Sequence, residues 1–280
     1  MLRTPTGPFN AGKPALRTKT RMAEVIQLGK AEAKTPEPGG FVLTESARDM
    51  LRSLQMVREE VGAMTLIAAA PGTGKTKALW HFKNTMMPKA LLITATAGED
   101  DTPWGLACQL MQMLNIGKPN NRDMRGSRLQ IAEAIGPDTL LLIDEAQNLI
   151  HQNARGADNW DALLWLRDLS EAGFFSLAFC GDLSLIEGAN RAPGLWRRWK
   201  RRVIIKAVSR GDVEALCEGS GQADAPVVDA LYQVAKRGGG LADVDTALGH
   251  ARLLARGASP GRAHILAAIE DLKLDGRGVK

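Results

Sequence analysis

The residues between positions 69 and 76 have the composition of a loop that wraps around phosphate groups. They read Ala-Ala-Pro-Gly-Thr-Gly-Lys-Thr, with Ala69 where the pattern G-x-x-x-x-G-K-[ST] usually has its first glycine. Glycines let backbone N–H groups converge on phosphate oxygens, and a following helix adds the dipole of its N-terminus. The amine of Lys75 would reach the β- and γ-phosphates, and the hydroxyl of Thr76 would bind Mg²⁺. We therefore expect a nucleotide to be held by Pro71, Gly72, Thr73, Gly74, Lys75, Thr76 and Lys77.

Two adjacent carboxylates follow the apolar run at residues 139–143. This run predicts a buried strand that ends in Asp144 and Glu145. Asp144 would hold Mg²⁺ opposite Thr76, and Glu145 would orient and deprotonate an attacking water. Adjacent acidic residues at the end of a strand are usually part of a solvated loop. Because they follow a phosphate loop with another strand between, the two motifs together predict a site for ATP and Mg²⁺.

Short apolar strands alternate with helical segments around these motifs. Strands that are apolar throughout are typical of a parallel sheet covered by helices on both faces. Five are predicted, at residues 64–69, 90–96, 139–143, 175–180 and 202–206. Beyond Ser209 the strands stop, and four helical patterns follow. We expect an α/β fold, in which a P-loop domain with a five-stranded parallel sheet (residues 41–207) precedes a small all-helical lid domain (residues 208–280).

The composition excludes several classes of protein. The chain has 280 residues, of which 45% are hydrophobic and 24% charged, and its apolar runs are far shorter than a membrane span. The N-terminus lacks the apolar segment of a secretory signal. The three cysteines and four histidines show neither a disulfide framework nor the spacing of zinc ligands. We expect a cytoplasmic protein without a membrane partner.

The net charge of +5 is concentrated in two segments. Residues 1–40 carry seven Lys or Arg against three Glu, together with many Pro and Gly, which predicts a basic and largely flexible arm. Residues 191–206 carry seven basic residues and no acidic one, with two tryptophans among them. Such a strip would contact phosphates or a neighbouring subunit, or would simply be a solvated edge.

The two motifs together resemble those of a known family. APGTGKT and LLLIDEAQNL, in this order and at this spacing, resemble the AAA+ ATPases. The second motif points to the transposition ATPases, the group of the phage Mu B protein, TniB and TnsC, with the secretion ATPase ExeA as a relative. The resemblance covers roughly residues 41–270.

This resemblance implies a function. It predicts a weak ATPase, bacterial or phage-encoded, that binds double-stranded DNA without sequence preference and oligomerises on it as a ring or helical filament. The protein would deliver the DNA to a transposase or activate the transposase. The alternative is an ExeA-like or other assembly or remodelling ATPase that acts on a protein partner. A nucleotide-gated scaffold with negligible hydrolysis is a third reading.

The resemblance also assigns roles to residues outside the two motifs. Arg198 matches the arginine finger, which acts on the nucleotide of a neighbouring subunit. Its rivals are Arg197, Arg201 and Arg202. Asp182 lies where the family has its sensor-1 polar residue, although an ordinary turn aspartate is equally consistent with the sequence. Ala242 replaces the sensor-2 arginine of many relatives, and the expected consequence is slow turnover or a substitute arginine from elsewhere.

A second basic cluster follows the second predicted strand. In filamentous relatives the elements that face DNA lie in this part of the domain, and contacts to phosphates would position DNA without reading its bases. The candidate DNA-binding residues are Lys118, Arg122, Arg125, Arg128 and, after the strand that ends in Asp144, Arg155. A plain solvated loop is nearly as consistent with these residues.

Overall fold

A computed structural model of the chain describes residues 40–152, 158–192 and 194–275. Arg155 and residues 1–39 of the predicted basic arm lie outside the described residues. The described residues all belong to one compact unit.

Five parallel strands form the central sheet. In chain order they are β1 (Met64–Ala69), β2 (Leu91–Thr94), β3 (Leu140–Asp144), β6 (Ser176–Gly181) and β7 (Trp199–Ile205). Their spatial order is β2-β3-β6-β1-β7, and every neighbouring pair is parallel. The carboxyl ends of parallel strands meet at one edge, so Ala69, Asp144 and Gly181 end three adjacent strands there. The predicted five-stranded parallel sheet is confirmed.

Helices cover both faces of this sheet. On one face lie α1 (Glu45–Arg58) and α2 (Lys75–His81), packed with Ile67 and Leu142. On the other lie α3 (Pro103–Leu114), α4 (Met124–Ile135), α5 (Asp161–Gly173) and α6 (Ser184–Arg191), packed with Leu66 and Leu141. Successive strand residues point to opposite faces, so both members of each neighbouring pair must be apolar. The inner strands β1, β3 and β6 are therefore mostly apolar, because both of their faces are covered.

Capping residues fix the starts of several helices. The hydroxyl of Thr44 accepts the N–H of Ala47 at the start of α1, at 3.1 Å. Asp123 accepts the N–H of Gly126 at the start of α4, at 2.8 Å. These contacts satisfy N–H groups that have no partner inside the helix.

A layer of four further helices follows the sheet. These are α7 (Arg210–Gly219), α8 (Ala225–Ala235), α9 (Gly240–Leu254) and α10 (Arg262–Asp271), and we call them the helical layer. They enclose an apolar core of their own that includes Val213, Leu231, Val244 and Ile265. None of the helices described is both long enough and apolar enough to cross a membrane.

Three features differ from the predictions. The short strands β4 (His151–Gln152) and β5 (Asp158–Asn159) form an antiparallel hairpin, and α6 follows β6; neither was predicted. Strand β7 begins at Trp199 instead of residue 202. It is an edge strand, so the exposed Lys200 and Arg202 alternate with the buried Trp199 and Val203. A run of apolar residues therefore does not predict where this strand begins.

Candidate nucleotide site

The predicted phosphate loop connects β1 to α2 at the carboxyl edge of the sheet. Gly72 and Gly74 have φ angles of 71° and 87°, in the left-handed region that favours glycine. The hydroxyl of Thr73 donates to the carbonyl of Ala70 at 2.8 Å and closes the loop internally. Ala69 is the last residue of β1 and is fully buried in the sheet, paired with Ile205. Since strand geometry suits a residue with a Cβ, alanine fits where the motif usually has glycine.

The amine of Lys75 lies against the backbone of this loop. The side chain is almost completely buried, and Nζ donates to the carbonyl oxygens of Ala69 at 2.9 Å and Ala70 at 3.3 Å. A buried ammonium requires such partners because desolvation is costly. The amine is thus held beside the loop, within reach of a phosphate chain bound there. Pro71 lies at the tip of the same loop. The side chain of Lys77 instead leaves it and pairs with Asp245 of the helical layer at 2.6 Å.

Thr76 and Asp144 meet where β3 ends. The Thr76 hydroxyl donates to Oδ2 of Asp144 at 2.7 Å, and the N–H of Glu145 donates to Oδ1 at 3.0 Å. Burial raises the pKa of Asp144, the negative charge of Glu145 adds to the rise, and the two hydrogen bonds and Lys75 oppose it. A hydroxyl and a buried carboxylate are hard oxygen donors, and a divalent cation would compensate the desolvated charge. The pair therefore fits Mg²⁺, which the hydroxyl of Thr76 and the carboxylate of Asp144 would hold.

Glu145 lies next to Asp144 in a left-handed backbone conformation, with φ of 54°. Its Oε2 accepts Nε2 of Gln147 at 2.6 Å, and Oε1 of the same glutamine accepts the N–H of Asp182 at 3.1 Å. No role for Gln147 was predicted from the sequence. The available signal was its place as the fourth residue of the run Asp144-Glu145-Ala146-Gln147.

The structure gives Asp182 the contacts of a turn aspartate. Its Oδ1 accepts the N–H of Ser184 at 2.8 Å and the hydroxyl of the same residue, at the start of α6. The carboxylate is thus occupied in beginning a helix, and only the backbone N–H of Asp182 is connected to Glu145, through Gln147.

The N-terminus of α9 lies directly on the phosphate loop. The N–H of Leu241 donates to the carbonyl of Gly72 at 2.7 Å. A Cβ at Gly72 would overlap the carbonyl of Gly239, and one at Gly240 would lie 2.9 Å from the carbonyl of Pro71. Only glycines permit this approach of two backbones. Ala242 follows on the exposed side of α9 and brings no cation to the site.

Most arginines of the basic strip have partners within the chain. Arg198 pairs with Glu171 of α5, and Arg201 pairs with Asp49 of α1. The guanidinium of Arg202 lies 4.4 Å from the ring centroid of Trp196, a cation–π contact. Arg197 is exposed and forms no ion pair within the described part of the chain.

The candidate DNA-binding residues that are described divide into two groups. Lys118, Arg122 and Arg125 are exposed and form no ion pair with any described residue. Arg128 is partly buried and pairs with Asp168 at 3.2 Å. The first three thus present their charges to solvent at the loop before α4 and at its first turn.

Comparisons with known proteins match both parts of the chain. A family model described as an AAA domain matches residues 58–187, and one described as Mu B transposition protein, C terminal, matches residues 197–272. The chain is 24% identical over 252 residues to the ATP-dependent target DNA activator B of Escherichia phage Mu, covering 88% of this chain and 77% of that protein. The protein of the same name from Escherichia phage D108 matches equally.

Solved structures with the same fold include an ORC1 protein in complex with DNA and a RuvB branch migration motor. The Aeropyrum pernix ORC1 protein in complex with DNA matches with a TM-score of 0.59 at 15% identity, covering 85% of this chain and 68% of that one. The Thermotoga maritima RuvB Holliday junction branch migration motor matches with a TM-score of 0.55 at 14% identity, covering 86% and 73%. At this identity the likeness shows the fold. The chain thus has the fold of the AAA+ P-loop ATPases, and its sequence resembles an AAA domain and the Mu B transposition proteins.

Proposed function

We propose that the chain is an ATP-dependent target DNA activator: it binds duplex DNA without sequence preference, oligomerises on it and delivers it to a transposase or activates the transposase. The observation that carries the proposal is the contact between Thr76 and Asp144 beneath the phosphate loop, in a chain similar along most of its length to the phage Mu protein. The site of action is the cytoplasm of a bacterial host.

The residues of the site have different roles in the hydrolysis of ATP. Backbone N–H groups of residues 72–76 bind the phosphates, and the amine of Lys75 exchanges its carbonyl partners for phosphate oxygens. Thr76 and Asp144 would hold Mg²⁺, which would supply positive charge against the charge that develops on the phosphates. Glu145 orients the attacking water and accepts its proton. The raised pKa of Asp144 is consistent with a carboxylate that binds a cation at this place.

A neighbouring subunit would complete this site with an arginine. Arg197 and Arg198 are adjacent and exposed, and Arg198 must first release Glu171. Arg197 has no such partner among the described residues, so it is the first candidate for the finger and Arg198 the second. A finger acting in trans makes hydrolysis depend on oligomerisation.

DNA would lie against Lys118, Arg122 and Arg125. Three exposed cations near the start of one helix would contact phosphates along a duplex, which gives affinity without sequence preference. Arg128 would add to this surface only by leaving Asp168. Arg155, which lies outside the described residues, remains a candidate DNA contact.

Binding of fluorescent duplexes tests the DNA part of the proposal. Two duplexes of unrelated sequence are titrated at low salt with a non-hydrolysable ATP analogue, with ADP and without nucleotide. We expect equal affinity for both sequences with the analogue, and a tenfold or greater loss between about 50 mM and 200 mM salt. Failure to bind either duplex with the analogue at low salt contradicts the DNA function and favours a protein partner.

A charge-matched pair of variants locates the DNA surface. Lys118→Ala/Arg122→Ala/Arg125→Ala should weaken binding by about tenfold or more and reduce the steepness of the salt dependence. The control triple Arg48→Ala/Arg52→Ala/Lys89→Ala removes the same charge from exposed residues outside this cluster. Equal losses in both triples would show only a general effect of net charge and would exclude a specific surface at α4.

A further inference from the structure

Just after β3, the nitrogen and the oxygen of the Gln147 side-chain amide each form a hydrogen bond. Gln147 donates from Nε2 to Glu145 at 2.6 Å and accepts the N–H of Asp182 at Oε1, at 3.1 Å. The side chain is only partly exposed. Its two contacts fix the orientation of the amide, because exchanging its nitrogen and oxygen would place donor against donor at Asp182.

The end of β6 leaves room for this amide. A Cβ on Gly181 would lie 2.5 Å from Oε1 of Gln147 and 3.2 Å from its backbone nitrogen. Any larger residue would displace the glutamine, since real Cβ contacts are longer than this. The absence of a side chain at Gly181 thus allows a residue after β3 to reach the neighbouring strand.

Glu145 needs an external partner to fix its carboxylate. Its backbone has φ of 54°, uncommon for a residue with a side chain, and its N–H is bound to Asp144. The backbone is therefore anchored, whereas the carboxylate is free to turn about the side-chain torsions except for the hydrogen bond from Gln147. That bond is the polar contact that sets its direction among the described residues.

We propose that Gln147 is a positioning residue: it sets the direction of the Glu145 carboxylate and ties it to the end of β6. This inference rests on the proposed role of Glu145 as the group that orients the attacking water. A displacement of the Asp182 N–H at the start of α6 would reach Glu145 through one side chain. Turnover would then respond to the position of α6 without a change in nucleotide binding.

Substitution by methionine tests this role. Gln147→Met keeps the length of the side chain and removes both hydrogen bonds. A misplaced catalytic group costs about ten- to hundredfold, so we expect kcat for ATP hydrolysis to fall by about that factor. The Kd of a fluorescent ATP analogue should stay within about twofold, since the side-chain hydrogen bonds of Gln147 go to Glu145 and Asp182 and not to the phosphate loop. Gln55→Met, at an exposed position of α1, is the matched control and should keep the turnover of the unmodified chain.

A double variant separates this inference from the role of Glu145. If Gln147 acts through Glu145, Glu145→Gln/Gln147→Met should be no slower than Glu145→Gln alone. Full turnover in Glu145→Gln would refute the catalytic role of Glu145 and the inference with it. Loss in Glu145→Gln with turnover retained in Gln147→Met, or losses that multiply in the double variant, would overturn the inference alone.

A second substitution keeps the shape of the side chain. Gln147→Glu can still accept the N–H of Asp182 but cannot donate a hydrogen bond to Glu145 when ionised. We expect turnover as low as in Gln147→Met, although the connection to β6 is preserved. Turnover like that of the unmodified chain would show that the contact with Glu145 is dispensable. This variant decides the matter even where the methionine variant fails to fold.

Discussion

At the scale of single residues, the Thr76 hydroxyl donates to Asp144 and is the proposed ligand of Mg²⁺. Two substitutions distinguish the contribution of this hydroxyl from that of the volume of the side chain. Thr76→Val keeps the volume of the side chain and removes the donor to Asp144, whereas Thr76→Ser keeps the hydroxyl. A buried carboxylate without its partner is penalised by about 1–3 kcal/mol. We expect Thr76→Val to lose about tenfold or more in Mg²⁺-dependent ATP binding, measured by Mg²⁺ titration at fixed nucleotide, and Thr76→Ser to lose little. Equal Mg²⁺ dependence in both variants would contradict the assignment of Thr76 as a ligand.

The same scale shows what a sequence can predict about a site. Lys75, Thr76, Asp144 and Glu145 follow from local spacing, because a phosphate loop and a strand end each place their residues within a few positions. Gln147 could not be assigned in this way, because one of its partners is 35 positions along the chain and depends on the sheet order. Its fit also requires the missing side chain at Gly181, on a different strand.

At the scale of elements, one buried carboxylate joins α1 to α7. Asp212 is fully buried and accepts the backbone N–H of Ser46 at 2.8 Å, the hydroxyl of the same serine at 2.7 Å and the N–H of Ser209 at 3.1 Å. Burial alone would raise the pKa of Asp212, but the hydrogen bonds from Ser46 and Ser209 outweigh it and the pKa is lowered. The first turns of two helices thus share one anion, which also favours both helix dipoles.

Because the pKa of Asp212 is lowered, the stability that it gives to the contact between α1 and α7 depends on pH. The stabilisation is present in full above the ordinary aspartate value of 3.8 and is lost as the pH falls through the lower folded-state pKa. At about pH 7, Asp212→Asn should lower the free energy of unfolding by about 2–4 kcal/mol, because an amide places a donor against the donors of Ser46 or Ser209. Urea unfolding should show this difference shrinking at about pH 3. Asp138→Asn, at an exposed position, is the control. If the difference in unfolding free energy between the unmodified chain and Asp212→Asn does not change with pH, the role of the charge of Asp212 is contradicted.

Strand boundaries show why elements were predicted unequally well. Strand β1 has apolar residues facing the helices on both sides of the sheet, and its predicted and observed bounds agree. Strand β7 has only one neighbour, β1, and its charged residues point outward, so the apolar run marks only its second half. Helix α6 begins at Ser184, and Asp182 accepts its first N–H. For Asp182 the sequence was equally consistent with a sensor-1 residue and with an ordinary turn aspartate.

At the scale of the whole molecule, the helical layer contacts the phosphate loop through backbone atoms. The N–H of Leu241 donates to Gly72, and Lys77 of α2 pairs with Asp245 of α9. The ion pair is exposed, so it contributes little, and the backbone contact is the part that depends on exact geometry. In the proposed function nucleotide phosphates bind the same loop, so a change in the loop on nucleotide binding would first alter the contact at the start of α9.

Two glycine substitutions in one helix test this coupling. Gly240 has φ of 61°, and a Cβ there would lie 2.9 Å from the Pro71 carbonyl, whereas a Cβ on Gly249 of the same helix meets nothing within 4 Å. Gly240→Ala should therefore separate α9 from the loop, and the Leu241 amide should exchange its hydrogen about tenfold faster or more, while Gly249→Ala leaves that rate unchanged. Hydrogen exchange with and without an ATP analogue measures both effects. We expect the analogue to alter exchange at Leu241 in the unmodified chain and in Gly249→Ala but not in Gly240→Ala, because the coupling then passes through the contact with Gly72. An equal response in all three proteins would show that this contact does not carry the coupling.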